Sequence, residues 1–452
     1  MPSLPFRSVL IANRGAIAAR IIRCLREHGV RSIAVYSEAD ANLPYLRDAD
    51  EAHCIGPGPA RESYLVAGRI LDLARERRAE AVHPGYGFLS ENAGFAREAA
   101  ASGIVFIGPS PDAIDTMGEK TAARALMGLK GLPLARGSAI LPMDKDAVLA
   151  AARDIGFPVL VKPAGGGGGI GMLAAKDEAS LLAAVDRARG LAGRSFANAD
   201  VYLEKLIETP RHIEFQIIGD RHGNVRHLFE RDCSLQRRHQ KIIEESRAPN
   251  IPISELDAMA DVAVRAVRDI GYHTVGTVEM LRGADGEFSF LEMNTRLQVE
   301  HAVTEMVVGV DLVAAQIHTA GGAHLSDVLP ASITATGHAI EARIYAEDPK
   351  NFFPSPGPLT HFRPPATNKN LRVETGYAEG ATVTPFYDPM IAKVIAHGPT
   401  RAAAMDRLVE GLSAFEVTGI KTNIPFVLRA LAHAEFRAGH VHTGLAPIIA
   451  QA

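Results

Sequence analysis

Glu292-Met293-Asn294-Thr295-Arg296-Leu297-Gln298-Val299-Glu300-His301 is the stretch from which the rest of the chain is best read. It follows Glu287-Phe288-Ser289-Phe290-Leu291, whose alternation reads as a strand. If the strand continues, Glu292, Asn294, Arg296, Gln298 and Glu300 share a face, because successive strand side chains point to opposite sides. Burying that row of carboxylates, amides and a guanidinium is costly unless something charged meets it. Carboxylate and amide oxygens suit Mg²⁺, and the Arg fork suits a planar anion. The competing reading is a solvated edge strand.

Outward from this stretch, a strand Gly276-Thr277-Val278-Glu279 and a short hairpin at 283–286 set Glu279 across from Glu292. Two facing carboxylates repel unless a cation lies between them. With Asn294 they make a candidate Mg²⁺ site bridging nucleotide phosphates. Lys120 and Lys162 are the cations placed to meet those phosphates. Either could be a plain surface lysine, although Lys162 ends the apolar strand Val159-Leu160-Val161. That strand runs into GGGGGIGM (165–172). Bare glycines can lay backbone N–H groups on phosphate as a lid, or serve as a flexible linker. The P-loop pattern is absent. Arg211 to Ile218 alternates as a strand. Gln236-Arg237-Arg238-His239-Gln240-Lys241 is dense in donors; it reads as a solvated basic loop or, for His239 and Lys241, as a ligand contact. Cys233 reads as a packed residue rather than a nucleophile.

The first ~110 residues alternate strand and helix, with strands at 8–12, 32–36, 81–83 and 104–108. This predicts a doubly wound parallel sheet. GxGxxG is missing, so dinucleotide binding is not indicated. HPGYGFLSEN (83–92) follows a strand, the ligand-facing end in such sheets, though Gly85 and Gly87 also suit a simple turn. Residues 401–432 read as helices. With 452 residues, 47% hydrophobic and 22% charged, an ordinary globular enzyme of several subdomains is expected. The net charge of −4 does not favour nucleic acid or anionic membrane as partners. No run reaches the ~18–20 apolar residues of a membrane span, and no signal peptide is read. The 3 scattered cysteines fit a reduced, cytoplasmic protein without a disulfide frame or zinc site.

Taken together, IANRGAIA (11–18), HPGYGFLSEN, MGEK (117–120), the Lys162 glycine loop, Glu204-Lys205, RHIE (211–214), ERDCSLQRRHQK, EMNTRLQVEH, ARIYAEDP and PSPG resemble the biotin carboxylases of the ATP-grasp superfamily, in the family's order along nearly the whole chain. The resemblance implies an α/β fold, α+β overall. An N-terminal α/β domain would span 1–115, and an ATP-grasp region 124–321 with a mobile lid at about 134–206. A C-terminal mixed domain would span 335–445. It implies ATP contacts from Lys120, Lys162, Gly168, Gly169, Glu204, His212, Gln236 and His239. Mg²⁺ (or Mn²⁺) would go to Glu279, Glu292 and Asn294. Bicarbonate would be held by Lys241, Arg296, Gln298 and the Val299 backbone, with Glu300 as general base and Arg343 stabilising the biotin enolate.

With no Met-Lys-Met-like attachment site in the sequence, biotin is expected on a separate carrier protein, with a separate carboxyltransferase. A homodimer is what the family implies. Ala16, Ile170, Arg247 and Ala302 depart from the acyl-CoA carboxylase pattern, where Glu, Arg or Lys, Pro and Pro stand. Ala16 and Ile170, with YSEADA (36–41) and VETG (373–376), resemble urea carboxylases. The expected activity is the first half-reaction of a carboxylase such as acetyl-CoA carboxylase. The alternatives are a urea- or amide-type carboxylase, another ATP-grasp ligase, or a scaffold that keeps the fold.

Overall fold

The first hundred residues form the parallel sheet that their alternation predicts. In the computed structural model, which describes residues 3–165, 171–196 and 198–451, the strands are β1 (Ser8–Ile11), β2 (Arg31–Tyr36), β3 (Glu51–Cys54), β4 (Ala81–His83) and β5 (Val105–Phe106). Their order is β3-β2-β1-β4-β5, every pair parallel. The helix Gly15–Glu27 returns over the sheet with Ile17, Ile21, Ile22 and Leu25 buried, the spacing of one helical face. Gly15 opens it at φ +64, a backbone region that a side chain would strain.

A small three-stranded sheet follows, with order β7-β6-β8: β6 (Val159–Pro163), β7 (Leu173–Ala175) and β8 (Val201–Lys205). The helices Lys145–Ile155 and Glu178–Phe196 cover it. It has a core of its own, including Val148, Ala152, Val159, Val161, Leu181, Val185 and Leu203. The predicted glycines Gly168 and Gly169, and Ile170, lie outside the described residues.

The remaining large element is an eight-stranded antiparallel sheet of order β13-β12-β9-β10-β11-β14-β19-β17. Its strands are β9 (Arg211–Gly219), β10 (Val225–Arg237), β11 (Gln240–Ser246), β12 (Thr274–Arg282), β13 (Phe288–Asn294), β14 (His338–Tyr345), β17 (Leu371–Thr375) and β19 (Met390–Gly398). Two small pairs, β15 (Gly357–Pro358) with β18 (Thr382–Val383) and β16 (His361–Arg363) with β20 (Glu416–Thr418), complete the C-terminal region. The hydrogen-bonded ladder passes from β11 into β14 without a break, so the C-terminal region extends the same sheet. The period of β9 sets what the sheet presents: Ile213, Phe215 and Ile217 enter an apolar core that also takes Leu256, Ala263 and Val267 of the helix Ile253–Asp269. His212, Glu214 and Gln216 go to the opposite face and are buried as well.

Two local expectations differ from the structure. The strand β13 ends at Asn294, whose partner Thr277 closes the β12 ladder. Residues 295–300 leave it because the Thr295 backbone N–H donates to Glu91 Oε1 at 3.1 Å, and Glu300 stands at the N-cap of the helix His301–Val308. The basic segment 236–241 is a hairpin rather than a loop: Gln236 pairs with Lys241 and Arg237 with Gln240. Its turn residues Arg238 (φ 51) and His239 (φ 66) are both left-handed, strain that commonly gathers at functional sites. As the sequence predicts, 401–432 is helical, in two helices, Arg401–Ser413 and Ile424–Ala432, with β20 between them. Among the described residues no helix is long and apolar enough to cross a membrane.

Candidate active site

The polar face of β9, β10, β11, β12 and β13 and the end of the small sheet enclose a cavity of about 810 Å³. Lys120, Lys162, Glu204, His212, Gln236 and His239 line it, and so do Glu279, Glu292, Asn294, Lys241, Arg296, Gln298, Val299 and Arg343. Glu300 is the exception; it is fully buried beneath the rim, bonded to Lys241 and Arg343. The row of the decapeptide converges even though it is not one strand. Arg296 Nη2 donates to Asn294 Oδ1 at 2.8 Å and Arg296 Nη1 to Gln298 Oε1 at 3.3 Å. Gln298 Nε2 donates to Glu279 Oε1 at 2.8 Å.

The electrostatic centre is Lys241. Its ammonium lies 2.7 Å from Glu214, 2.9 Å from Glu279 and 2.6 Å from Glu300. Burial alone would lower its pKa, but the acidic groups around it raise it well above the ordinary value. The reverse holds for Glu279 and Glu300. Burial pushes both upward, yet Lys241 with His212 for Glu279, and Lys241 with Arg343 and Arg231 for Glu300, hold them well below the carboxylate range. Both are therefore ionised. Arg231, fully buried, ties Glu214, Gln216, Thr277 and Thr304 together. Cys233 is buried, its thiol pushed far up chiefly by that burial, which fits a packed residue.

Glu279 and Glu292 are direct partners across β12 and β13, as their spacing predicts. Glu279 Oε2 meets His212 Nε2 at 2.9 Å, while Glu292 lies 3.5 Å from Lys120. With Asn294 Oδ1 they offer hard oxygens from facing strands, a donor set that suits Mg²⁺. The neighbouring group His212, Glu214 and Glu279 also closes tightly, but Lys241 already supplies its cation. Lys162 is no surface lysine: it is 2% exposed and donates to Glu204 Oε2 at 2.9 Å. Glu204 in turn meets Arg124 at 3.0 Å. Burial lowers the Lys162 pKa, with Glu204 opposing. Gln236 Nε2 lies 2.7 Å from His212 Nδ1. His239 is kept neutral by burial and by His212.

Sequence reading missed Glu91, Arg124, Glu214 and Arg231. Glu214 carried a signal, two residues beyond His212 on an alternating strand. Glu91 lay inside HPGYGFLSEN without being singled out, and Arg296 Nε donates to its Oε2 at 2.8 Å across 205 residues.

A second cavity of about 480 Å³ joins the first, sharing Arg296, Val299, Arg343, Tyr345 and Asp388. Its other wall is the N-terminal sheet's loops, Asn13 to Ala16 and Tyr86 to Phe88. The glycines of HPGYG serve the turn and the site at once: Gly85 has φ +63, and a Cβ there would sit 2.9 Å from Asn13 Nδ2, which donates to the carbonyls of Pro84 and Tyr86. Ala16 lies on this cavity and Arg247 lies against Glu230, away from both.

Three family profiles match in succession: "Biotin carboxylase, N-terminal domain" over 5–114, "Carbamoyl-phosphate synthase L chain, ATP binding domain" over 119–328, and "Biotin carboxylase C-terminal domain" over 341–446. The chain is 48% identical over 438 residues to biotin carboxylase 2 of Bacillus subtilis, covering 97% of this chain and 98% of that protein. It is 49% identical over 440 residues to the mitochondrial methylcrotonoyl-CoA carboxylase subunit alpha of rice, covering 96% of this chain but 59% of that protein. The biotin carboxylase domain of Hydrogenobacter thermophilus 2-oxoglutarate carboxylase, solved as a dimer with MgADP, ADP and bicarbonate, superposes with a TM-score of 0.94 at 41% identity, covering 99% of each chain. Full-length similarity at this level, with most of the quoted motifs lining the two joined cavities, places the chain in the biotin carboxylase family of ATP-dependent ligases.

Proposed function

We propose that this protein carboxylates the biotin of a carrier protein with bicarbonate, at the expense of ATP and through carboxyphosphate. One observation carries the reading: Lys241, Glu300 and Arg343 form a continuous bonded junction where the two cavities meet. The larger cavity takes ATP, with Lys120, Lys162, Glu204, His212, Gln236 and His239 around it, and the family resemblance adds Gly168 and Gly169 as ATP contacts. The smaller takes the biotin ring. Mg²⁺ (or Mn²⁺) on Glu279, Glu292 and Asn294 supplies charge neutralisation to the phosphates.

Bicarbonate is a small planar anion. Arg296 offers it a fork already oriented by Glu91 and Asn294, with Lys241, Gln298 and the Val299 backbone beside it. Glu300 is ionised and has no solvent access, so it accepts the bicarbonate proton as the carbonate oxygen attacks the γ-phosphorus and ADP leaves. Carboxyphosphate then breaks down to CO₂ and phosphate. The phosphate takes the ureido proton, Arg343 stabilises the enolate, and the biotin nitrogen bonds to CO₂. Carboxyphosphate is hydrolysable, which gives the lid its role in excluding water.

The carrier and a carboxyltransferase are the partners, in the cytoplasm, with the subunit working as a homodimer. Neither nucleic acid nor membrane is a partner. Acyl-CoA acceptors such as acetyl-CoA are the first reading. Ala16 on the biotin-side cavity, shared with urea carboxylases, favours a urea- or amide-type acceptor as the second. Labelled bicarbonate tests the function: ATP-dependent transfer of label into free biotin is expected. Label that stays in solution while ADP accumulates without bicarbonate would point to a different ATP-grasp ligase.

A further inference from the structure

Behind the active site, one face of four neighbouring strands carries a row of buried charged residues: Glu244 on β11, Glu341 and Arg343 on β14, Lys393 on β19 and Glu374 on β17. Glu244 and Glu341 are direct cross-strand partners. Such partners share a face with side chains in contact. Both are completely buried, and each keeps one carboxylate oxygen without a hydrogen-bond partner, Glu244 Oε2 and Glu341 Oε1. Their other oxygens are engaged. Arg343 Nε donates to Glu244 Oε1, and Lys393 Nζ lies 3.3 Å from Glu341 Oε2. Lys393 sits closer to Glu374, at 2.9 Å, and also donates to the Val299 carbonyl.

An orphaned buried carboxylate oxygen is expensive, and two on facing residues are relieved together by one proton between them. We propose that Glu244 and Glu341 hold a single shared proton, resting on Glu341 Oε1 and donated to Glu244 Oε2, and that this keeps an ionised Glu244 against Arg343 as a positioning pair for the biotin-side guanidinium. The geometry selects Glu341 as the protonated member. Its cation is the more distant of the two carboxylate contacts Lys393 makes, whereas Glu244 takes the Nε of Arg343, whose Nη2 goes to Glu300.

The surrounding charges agree. Burial raises Glu341 to about 8 against Lys393 and Arg343, with Glu244 and Glu374 adding to the rise. Burial raises Glu244 to about 7, with Arg343 opposing, Glu300 adding and Lys241 opposing. The other facing groups do not supply a competing charge near neutrality. Cys233 and Tyr86 are pushed upward by burial, and burial holds His301 down to about 4, with Glu305 opposing. The pair thus lies between the two fixed points of the site, Arg343 and the Val299 carbonyl, and touches neither substrate cavity.

The inference rests on the proposed function only through the role of Arg343, and its first test is independent of turnover. Infrared or carbon-13 spectra of glutamate-labelled wild-type protein should show a protonated carboxyl at neutral pH, lost as pH passes about 8 and missing in Glu341→Gln. Glu341→Gln imitates the protonated residue, so it should keep the biotin-dependent rate within about twofold and lose the alkaline inflection of the wild type. Glu244→Gln removes one of the two anions on Arg343, leaving Glu300, and should lower kcat/KM for biotin about tenfold while leaving KM for ATP unchanged. A wild-type spectrum without that carboxyl overturns the proposal even if no variant folds well enough to assay, and so does a carboxyl that persists unaltered in folded Glu341→Gln. If the carboxyl is present but label never reaches biotin, the shared proton stands and the biotin reading falls.

Discussion

Glu214, Glu279 and Glu300 close on one ammonium, whereas Glu244 and Glu341 face each other across two strands. All five are buried, four on the same sheet and Glu300 at the helix start beside it, and two of them, Glu300 and Glu244, bind the same guanidinium, Arg343. Yet Glu279 and Glu300 are held well below the carboxylate range, and Glu244 and Glu341 are pushed up to about 7 and about 8. Residue type and burial are shared, so neither sets the charge state. What differs is whether a cation sits inside the cluster, as Lys241 does, or only at its edges. The first arrangement gives a base that is always ionised; the second gives a store for one proton.

Removing the cation should break the comparison outright. Lys241→Met strands three buried carboxylates, at a cost of about 3–5 kcal/mol, and should abolish bicarbonate-dependent turnover. Urea unfolding reads the first effect; an unchanged midpoint would mean that the cluster takes up protons without cost. Arg296→Lys keeps the charge but loses the fork held by Glu91, Asn294 and Gln298, and should lower kcat/KM for bicarbonate about a hundredfold. Full turnover at saturating bicarbonate would show that charge alone suffices there.

The second cluster has a pH signature of opposite sign. Glu341 rises in the fold from its ordinary 4.5 to about 8, so its stabilising share is complete below pH 4.5 and is lost as pH climbs through 8. Glu341→Gln should therefore gain on the wild type as pH rises across that window, by roughly 5 kcal/mol at its upper end. Parallel stability curves for the two proteins would remove the distinction between the clusters. The smallest effect is expected at Glu91, whose side chain is 39% exposed. Glu91→Gln should raise KM for bicarbonate a few-fold, about 1 kcal/mol, with kcat nearly untouched. A loss as large as that of Arg296→Lys would make Glu91 as important as the guanidinium it holds.

Much of this was legible in the chain because it rested on period and spacing. The parallel N-terminal sheet follows from alternating segments, and the facing of Glu279 and Glu292 from a hairpin of fixed length. Lys162 followed from its place at the end of an apolar strand. What could not be read were contacts made by folding distant segments together. The decapeptide leaves its ladder at Asn294 because Glu91 captures the Thr295 N–H, and nothing local to either residue announces it. The hairpin at 236–241 was hidden because its turn uses Arg238 and His239 in left-handed conformations where glycine or asparagine is the usual signal. The meeting of Glu244 with Glu341 depends on a register between strands 97 residues apart (341 − 244).

The central claim is that Glu300, kept ionised by Lys241 and Arg343, takes the proton of bicarbonate. The direct measurement is bicarbonate-dependent ADP release with Mg²⁺, with and without free biotin, for the wild type and Glu300→Gln. The wild type should require bicarbonate and be accelerated by biotin, and Glu300→Gln should lose about a thousandfold in rate while keeping its KM for ATP. Turnover of Glu300→Gln at the wild-type rate, or release of ADP indifferent to bicarbonate in the wild type, would contradict it.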